Sequence, residues 1–172
     1  MKKLVYLISP NKIHNDFYDD LKKVLSARNV KFFQLRLKKI KKDKIIKIAK
    51  KVKKITRKFN VKLIINDHPN ISKITNADGC HLGQKDGSVK NAKKQLKNKI
   101  IGVTCHNSKS LAKIAVQNKA DYLAFGSFYK SKLKPNAKKA SLNILKWAKR
   151  NIKKPIIAIG GINNSNYSCI NY

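Results

Sequence analysis

Short apolar runs alternate with longer amphipathic stretches along the whole chain. The runs LVYLIS (4–9), VKFFQLR (30–36), VKLIIN (61–66), DGCHL (78–82), IIGVT (100–104), DYLAFG (121–126) and PIIAIG (155–160) have the length and the β-branched and aromatic content of strands. Helical spacing of apolar positions fills the intervals, over 15–27, 42–58, 69–75, 88–96, 108–118 and 141–150. In KKIKKDKIIKIAKKVKKITRK (38–58), Ile45, Ile48, Ala49, Val52 and Ile55 recur at helical spacing while lysines fill the opposite face. Strand followed by helix, repeated about seven times, predicts a parallel sheet with right-handed crossovers.

An open doubly wound sheet and a closed β/α barrel share that rhythm. The first strand runs into ISPNKIH rather than a glycine-rich dinucleotide loop, and polar residues stand at the carboxyl end of nearly every strand. A barrel builds its site from many such loops, whereas an open sheet uses mainly one switch point. The fold class expected is therefore α/β, of the (β/α)8 TIM-barrel type. After the seventh strand the sequence reads AIGGINNSNYSCINY and stops at Tyr172, so the barrel is expected to lack its eighth β/α unit and to expose the edges of its first and seventh strands. With no low-complexity linker, residues 1–172 are expected to form a single domain. If that domain folds alone, marginal stability or a homo-oligomer is expected.

Composition adds a core and a charge. In 172 residues, 42% hydrophobic content suffices for one buried core. The formal net charge is +33, from 41 basic and eight acidic side chains. Such an excess points first to an anionic partner, whether nucleic acid, an acidic membrane surface or phosphorylated substrates. Only Arg28, Arg36, Arg57 and Arg150 are arginine, however, and lysine coats every predicted helix alike. Base readout leans on arginine, and binding to single strands leans on stacked aromatics, so nucleic acid is not the expected partner. A solvated lysine surface accounts for most of the charge.

Cys80, Cys105 and Cys169 form no CxxC pair and no disulfide framework, which points to a reducing cytoplasm. The apolar run near the start is too short for a signal peptide and far short of a membrane span, so no membrane partner is expected.

The candidate chemistry lies where strands end. In QLRLK, alternation places Gln34, Arg36 and Lys38 on one face, an amide and two cations suited to an anion. Asp67 follows IIN and Asp86 closes NADGCHLGQKD, so two of the eight acids stand just beyond neighbouring strands. Few hard oxygen ligands, completed by water and phosphate, suit Mg²⁺, although either Asp could instead cap a helix. Cys80-His81 and Cys105-His106 suggest zinc at first sight. Adjacent strand residues point to opposite faces, so each dipeptide offers one inward ligand, and two ligands do not make a tetrahedral structural site. His81 and His106 are then hydrogen-bonding groups, and Cys80 and Cys105 packing residues. Farther on, DYLAFGSFYKSKLK brings Ser127, Ser131, Lys132 and Lys134 into one loop. Gly160 and Gly161 in AIGGIN either let backbone N–H groups approach a phosphate or make a tight turn.

Taken together, QLRLK, IINDH, ADGCHLGQKD, IIGVTCHN, ADYLAFGSFYKSKLK and PIIAIGGIN resemble the ordered motifs of the thiamine phosphate synthase and thiazole tautomerase family, from YLIS to AIGGIN. The resemblance implies a (β/α)8 barrel enzyme, a transferase that joins hydroxymethylpyrimidine diphosphate to hydroxyethylthiazole phosphate and releases pyrophosphate. It implies Mg²⁺ on Asp67 and Asp86, and the pyrimidine diphosphate on Gln34, Arg36, Lys38 and Asn66. Thr104 would lie close to pyrophosphate, Ser131 and Lys134 would grip phosphate, and Gly161 would meet the thiazole phosphate. The sequence departs from the family pattern in the sixth loop, where Ser127 replaces a proline and Leu133 removes a hydroxyl donor. The family's eighth strand normally brings backbone and a serine hydroxyl to the thiazole phosphate. The pyrimidine half of the site is thus whole in sequence, and the thiazole half is the one in question. A tautomerase-like paralogue or a truncated, non-catalytic binder is the alternative implied. Retention of both aspartates counts against the tautomerase, which does not need them, and His106 keeps it open.

Overall fold

The structure, a computed structural model, describes residues 4–27, 29–130 and 139–170. Elements alternate strictly, in the order β1 (Val5–Ile8), α1 (Phe17–Leu25), β2 (Val30–Leu35), α2 (Lys42–Lys58), β3 (Lys62–Asn66), α3 (Pro69–Ile74), β4 (Gly79–Leu82), α4 (Val89–Leu96), β5 (Ile100–His106), α5 (Lys109–Gln117), β6 (Tyr122–Phe125), α6 (Leu142–Asn151) and β7 (Ile156–Ala158). The strands follow one another in sheet order as they do in sequence. Sequential order with a helix between successive strands is the β/α-barrel topology that the hydrophobic pattern predicts.

The chain divides into two compact units, Met1–His81 with Lys94–Ile100, and Leu82–Lys93 with Ile101–Tyr172. In the first, β1 pairs in parallel with β2, β2 with β3 and β3 with β4. Leu63, Ile64 and Ile65 of β3 are all fully buried, so this strand is covered on both faces, as parallel strands are. The apolar stripe of α2 packs down through Ile45, Ile48, Ala49 and Val52, joined by Thr56. Asp43 sits in the first turn of that helix and Arg57 and Lys58 in the last, each complementing the helix dipole. Phe33, Leu35, Leu63 and Ile65 meet this stripe together with Leu21 and Leu25 of α1 in one core.

In the second unit β5 pairs in parallel with β6, and β6 with β7. Ile101, Leu123, Phe125 and Leu145 are its fully buried anchors. The strand β5 runs two residues beyond the predicted IIGVT. Its register against β6 slips between Thr104 and His106, and the extra residue, Cys105, is accommodated as a bulge. Helix α5 is capped by Ser108, whose Oγ accepts from the Leu111 N–H at 3.2 Å.

Two aspartates that precede strands anchor the two units in the same manner. Asp78, just before β4, accepts from the Leu63 N–H of β3 at 2.8 Å and from Lys53 Nζ of α2 at 2.6 Å. Asp121, just before β6, accepts from the Ile101 N–H of β5 at 2.6 Å and from Lys93 Nζ of α4 at 2.5 Å. Each carboxylate satisfies a main-chain donor of the preceding strand and neutralises an ammonium on the helix that leads into that strand. No helix among the described residues is long and apolar enough to cross a membrane.

Candidate active site

Five of the predicted site residues gather in the first unit at the carboxyl ends of β2 and β3. Gln34, only 3% exposed, donates from its side-chain amide to Asn66 Oδ1 at 3.0 Å. One residue farther along β3, Asp67 Oδ2 accepts from Lys38 Nζ. The carboxylate is 11% exposed and the lysine 45%, so the ammonium stands on the solvent side of the pair. Arg36 lies between, with its Nη1 donating to Asn11 Oδ1 at 2.8 Å.

The strand β2 ends at Leu35, so Arg36 and Lys38 belong to the segment beyond it rather than to the strand. The alternation survives in burial: Leu35 and Leu37 are buried while Arg36 is partly exposed and Lys38 exposed. What ends the ladder is a change of partner. The Arg36 N–H donates to the hydroxyl of Ser9 at 2.9 Å instead of to another strand.

Asp67 does not cap α3. Its φ is +64°, and the His68 N–H closes back onto the Asn66 carbonyl at 2.9 Å, a three-residue turn of the positive-φ kind. The Asp67 N–H meanwhile donates to the His81 carbonyl at 2.8 Å. A non-glycine residue held at positive φ is strained, and strain of this kind concentrates where side-chain direction matters. Here it accompanies a carboxylate facing Lys38.

In the second unit the segment HLGQKD folds into a tight turn. Asp86 Oδ2 accepts from the Gly83 N–H at 3.0 Å, and the Asp86 N–H returns to the Gly83 carbonyl at 3.3 Å. A Cβ on Gly83 would stand 2.5 Å from that carboxylate oxygen, so a side chain there would displace the Asp86 carboxylate. Asp86 does not cap the helix that follows. Ser88 does, accepting from the Asn91 N–H at 3.2 Å. The Gln84 side chain donates to the Thr104 carbonyl and ties this turn to β5. Gly161 has φ +65°, and a Cβ there would come 2.5 Å from the Lys130 carbonyl, so the close backbone approach requires glycine. Ser131 and Lys134, with Lys132 and Leu133, lie outside the described residues. His81 is buried within β4, and His106 is exposed at the end of β5. Cys80 and Cys105 are buried free thiols, and burial pushes the Cys105 thiol up to about 12.

Sequence reasoning passed over Ser9, Asn11 and Gln84. All three were within reach of the rule applied elsewhere, since SPN follows the first apolar run and Gln84 follows the fourth. Donor chemistry at Asp67 and Asp86 fits a hard divalent cation. Neither carboxylate caps a helix, Asp67 meeting the Lys38 ammonium and Asp86 the Gly83 N–H, and Mg²⁺ takes one or two carboxylates with substrate phosphate and water completing its shell.

A family model described as thiamine monophosphate synthase matches residues 5–171. The chain belongs to that family. It is 59% identical over 167 residues to the thiamine-phosphate synthase of Pelagibacter ubique, spanning 96% of this chain and 81% of that protein. It is 40% identical to the thiamine-phosphate synthase of Erythrobacter litoralis over 94% of this chain and 78% of the other. Among solved structures, the thiamine phosphate pyrophosphorylase from Pyrococcus furiosus superposes with a TM-score of 0.84 at 28% identity, over 95% of this chain and 77% of that one. The thiamine monophosphate synthase family assignment and this superposition agree with the α/β-barrel topology read from the strand order.

Proposed function

We infer that family membership extends to activity: the chain is a thiamine-phosphate synthase, a transferase. It joins hydroxymethylpyrimidine diphosphate to hydroxyethylthiazole phosphate and releases pyrophosphate. The observation that carries this reading is the array at the ends of β2 and β3, where the Gln34–Asn66 amide pair adjoins the Lys38–Asp67 ion pair.

In the proposed reaction the bond between the pyrimidine methylene carbon and the diphosphate oxygen breaks first. Its electron pair leaves with pyrophosphate, and the resulting carbocation is captured by the thiazole nitrogen. That nitrogen has no proton to lose, so no strong general base is required. Negative charge accumulates on the departing oxygens, and the cations Arg36 and Lys38 act on it more strongly in the transition state than in the ground state. Gln34 and Asn66 present fixed amide dipoles that orient the pyrimidine end. Thr104 borders the pyrophosphate, and Gly161 offers backbone N–H to the thiazole phosphate, with Ser131 and Lys134 gripping phosphate from the sixth loop. Asp67 and Asp86 would hold Mg²⁺, which supplies further charge neutralisation to the leaving group when bound. A cytoplasmic setting belongs to the same reading, supported by three free thiols.

The test is an endpoint assay of the purified chain with both phosphorylated substrates and Mg²⁺, the product being oxidised to its fluorescent derivative. Product from the wild type and none from Asp86→Ala supports the synthase. A folded chain that binds the pyrimidine diphosphate and makes no product overturns it in favour of a binder or a paralogue.

A further inference from the structure

We infer that Asn11, in the segment after β1, is a positioning residue for diphosphate binding through Arg36. The inference rests on the reading of Arg36 as a diphosphate ligand. Two residues of the SPN segment grip Arg36 from one side. Ser9 is 2% exposed, its N–H donates to the Gln34 carbonyl at 2.9 Å, and its hydroxyl accepts from the Arg36 N–H at 2.9 Å. These bonds fix the backbone from which the guanidinium projects. Asn11 Oδ1 then accepts from Arg36 Nη1 at 2.8 Å and fixes the far end.

The chemistry of the acceptor is what makes this a device for anion binding. An arginine side chain has many rotamers, and ordering it on ligand arrival lowers affinity. A partner that holds one edge of the planar guanidinium beforehand removes part of that loss and leaves the remaining N–H groups for a bidentate anion. A carboxylate would hold the same edge but cancel the charge the anion needs. Asn11 orients while leaving the charge whole. Pro10 limits the freedom of the segment that carries it.

The experiment is a double-mutant cycle read by calorimetric titration of inorganic pyrophosphate in the presence of Mg²⁺, using wild type, Asn11→Ala, Arg36→Ala and the double variant. Thermal melts establish that each variant folds. Asn11→Ala is expected to weaken pyrophosphate binding about three- to tenfold with its melting temperature unchanged. In the Arg36→Ala background the same substitution is expected to change nothing further. Unaltered binding in Asn11→Ala overturns the inference, and so does an equal loss in both backgrounds, because Asn11 would then act independently of Arg36. A wild type that fails to bind pyrophosphate overturns it as well. A wild type that binds pyrophosphate but forms no thiamine phosphate sinks the synthase reading alone and leaves the role of Asn11 to be decided by the cycle.

Discussion

The side-chain amide of Gln34 donates to Asn66 Oδ1 at 3.0 Å, joining the carboxyl ends of β2 and β3 through two neutral groups. Each amide fixes which end of the other is donor and which is acceptor, so the pair presents a set polarity to whatever lies beyond it. Gln34→Met keeps the volume and removes the donor. It is expected to cost about 1–2 kcal/mol of stability. The Michaelis constant for the pyrimidine diphosphate is expected to rise by roughly tenfold, since a difference of about 1.4 kcal/mol is one decade. Urea unfolding and steady-state kinetics read the two effects separately, and unchanged kinetics with lowered stability would make the pair structural only.

A second expectation concerns the two carboxylates proposed to hold Mg²⁺. Asp67→Asn and Asp86→Asn keep size and hydrogen-bonding capacity while removing charge. Each should lower turnover by at least about a hundredfold, the scale expected when an electrostatic element of the transition state is lost. Secondary structure by circular dichroism should be unaltered. Full activity in either variant would remove that residue from the metal site.

The strand and helix rhythm was legible because burial follows it so directly: β3 is apolar without interruption, and α2 carries its apolar residues in one stripe. Strand ends were less legible. QLRLK alternates as a strand would through Lys38, yet β2 stops at Leu35, because the next amide finds the Ser9 hydroxyl, a partner 27 residues away that no local pattern reveals. The end of β5 was underestimated for a related reason, since the bulge at Cys105 lets pairing resume at His106. Asp67 was open to two sequence readings, helix cap or ligand. The positive φ that separates them depends on the His81 carbonyl of the next strand, which accepts its N–H. The 3₁₀ turn Tyr167–Cys169 is too short and polar to leave a periodic trace.

The paired anchors Asp78 and Asp121 predict a graded loss of stability. Asp78→Ala leaves the Leu63 N–H without its acceptor and should cost about 2–3 kcal/mol. Asp78→Asn retains an acceptor oxygen and loses the ion pair with Lys53, so its cost should be about 1 kcal/mol. Asp121 should show the same order through Ile101 and Lys93. Chemical denaturation of the four variants checks this, and equal costs for alanine and asparagine would assign the effect to charge alone.

Cys105 carries a pH expectation. Burial pushes its thiol up to about 12, whereas in the unfolded chain it ionises near its ordinary value of 9.0. Between those values the folded state retains a proton that the unfolded state has lost, so stability falls as pH rises through the window. The contribution of this one group approaches about 1.4 kcal/mol per pH unit. Cys105→Ser should flatten that part of the profile. In alkylation at pH 8, exposed Cys169 should react in the native protein, and Cys80 and Cys105 only after denaturation, as resolved by peptide mass analysis. Native labelling of Cys105 at the rate of Cys169 would contradict its burial.

Asp78 and Asp121 stand at the amino ends of their strands, whereas Gln34, Asn66 and Asp67 stand where strands finish. The groups that secure the chain and the groups proposed to meet substrate therefore occupy separate stretches of sequence. Carboxyl-end loops can then change without loosening the aspartates that hold the amino ends of the strands. Such separation turns the scaffold into a chassis on which substrate preference can drift while foldedness is inherited.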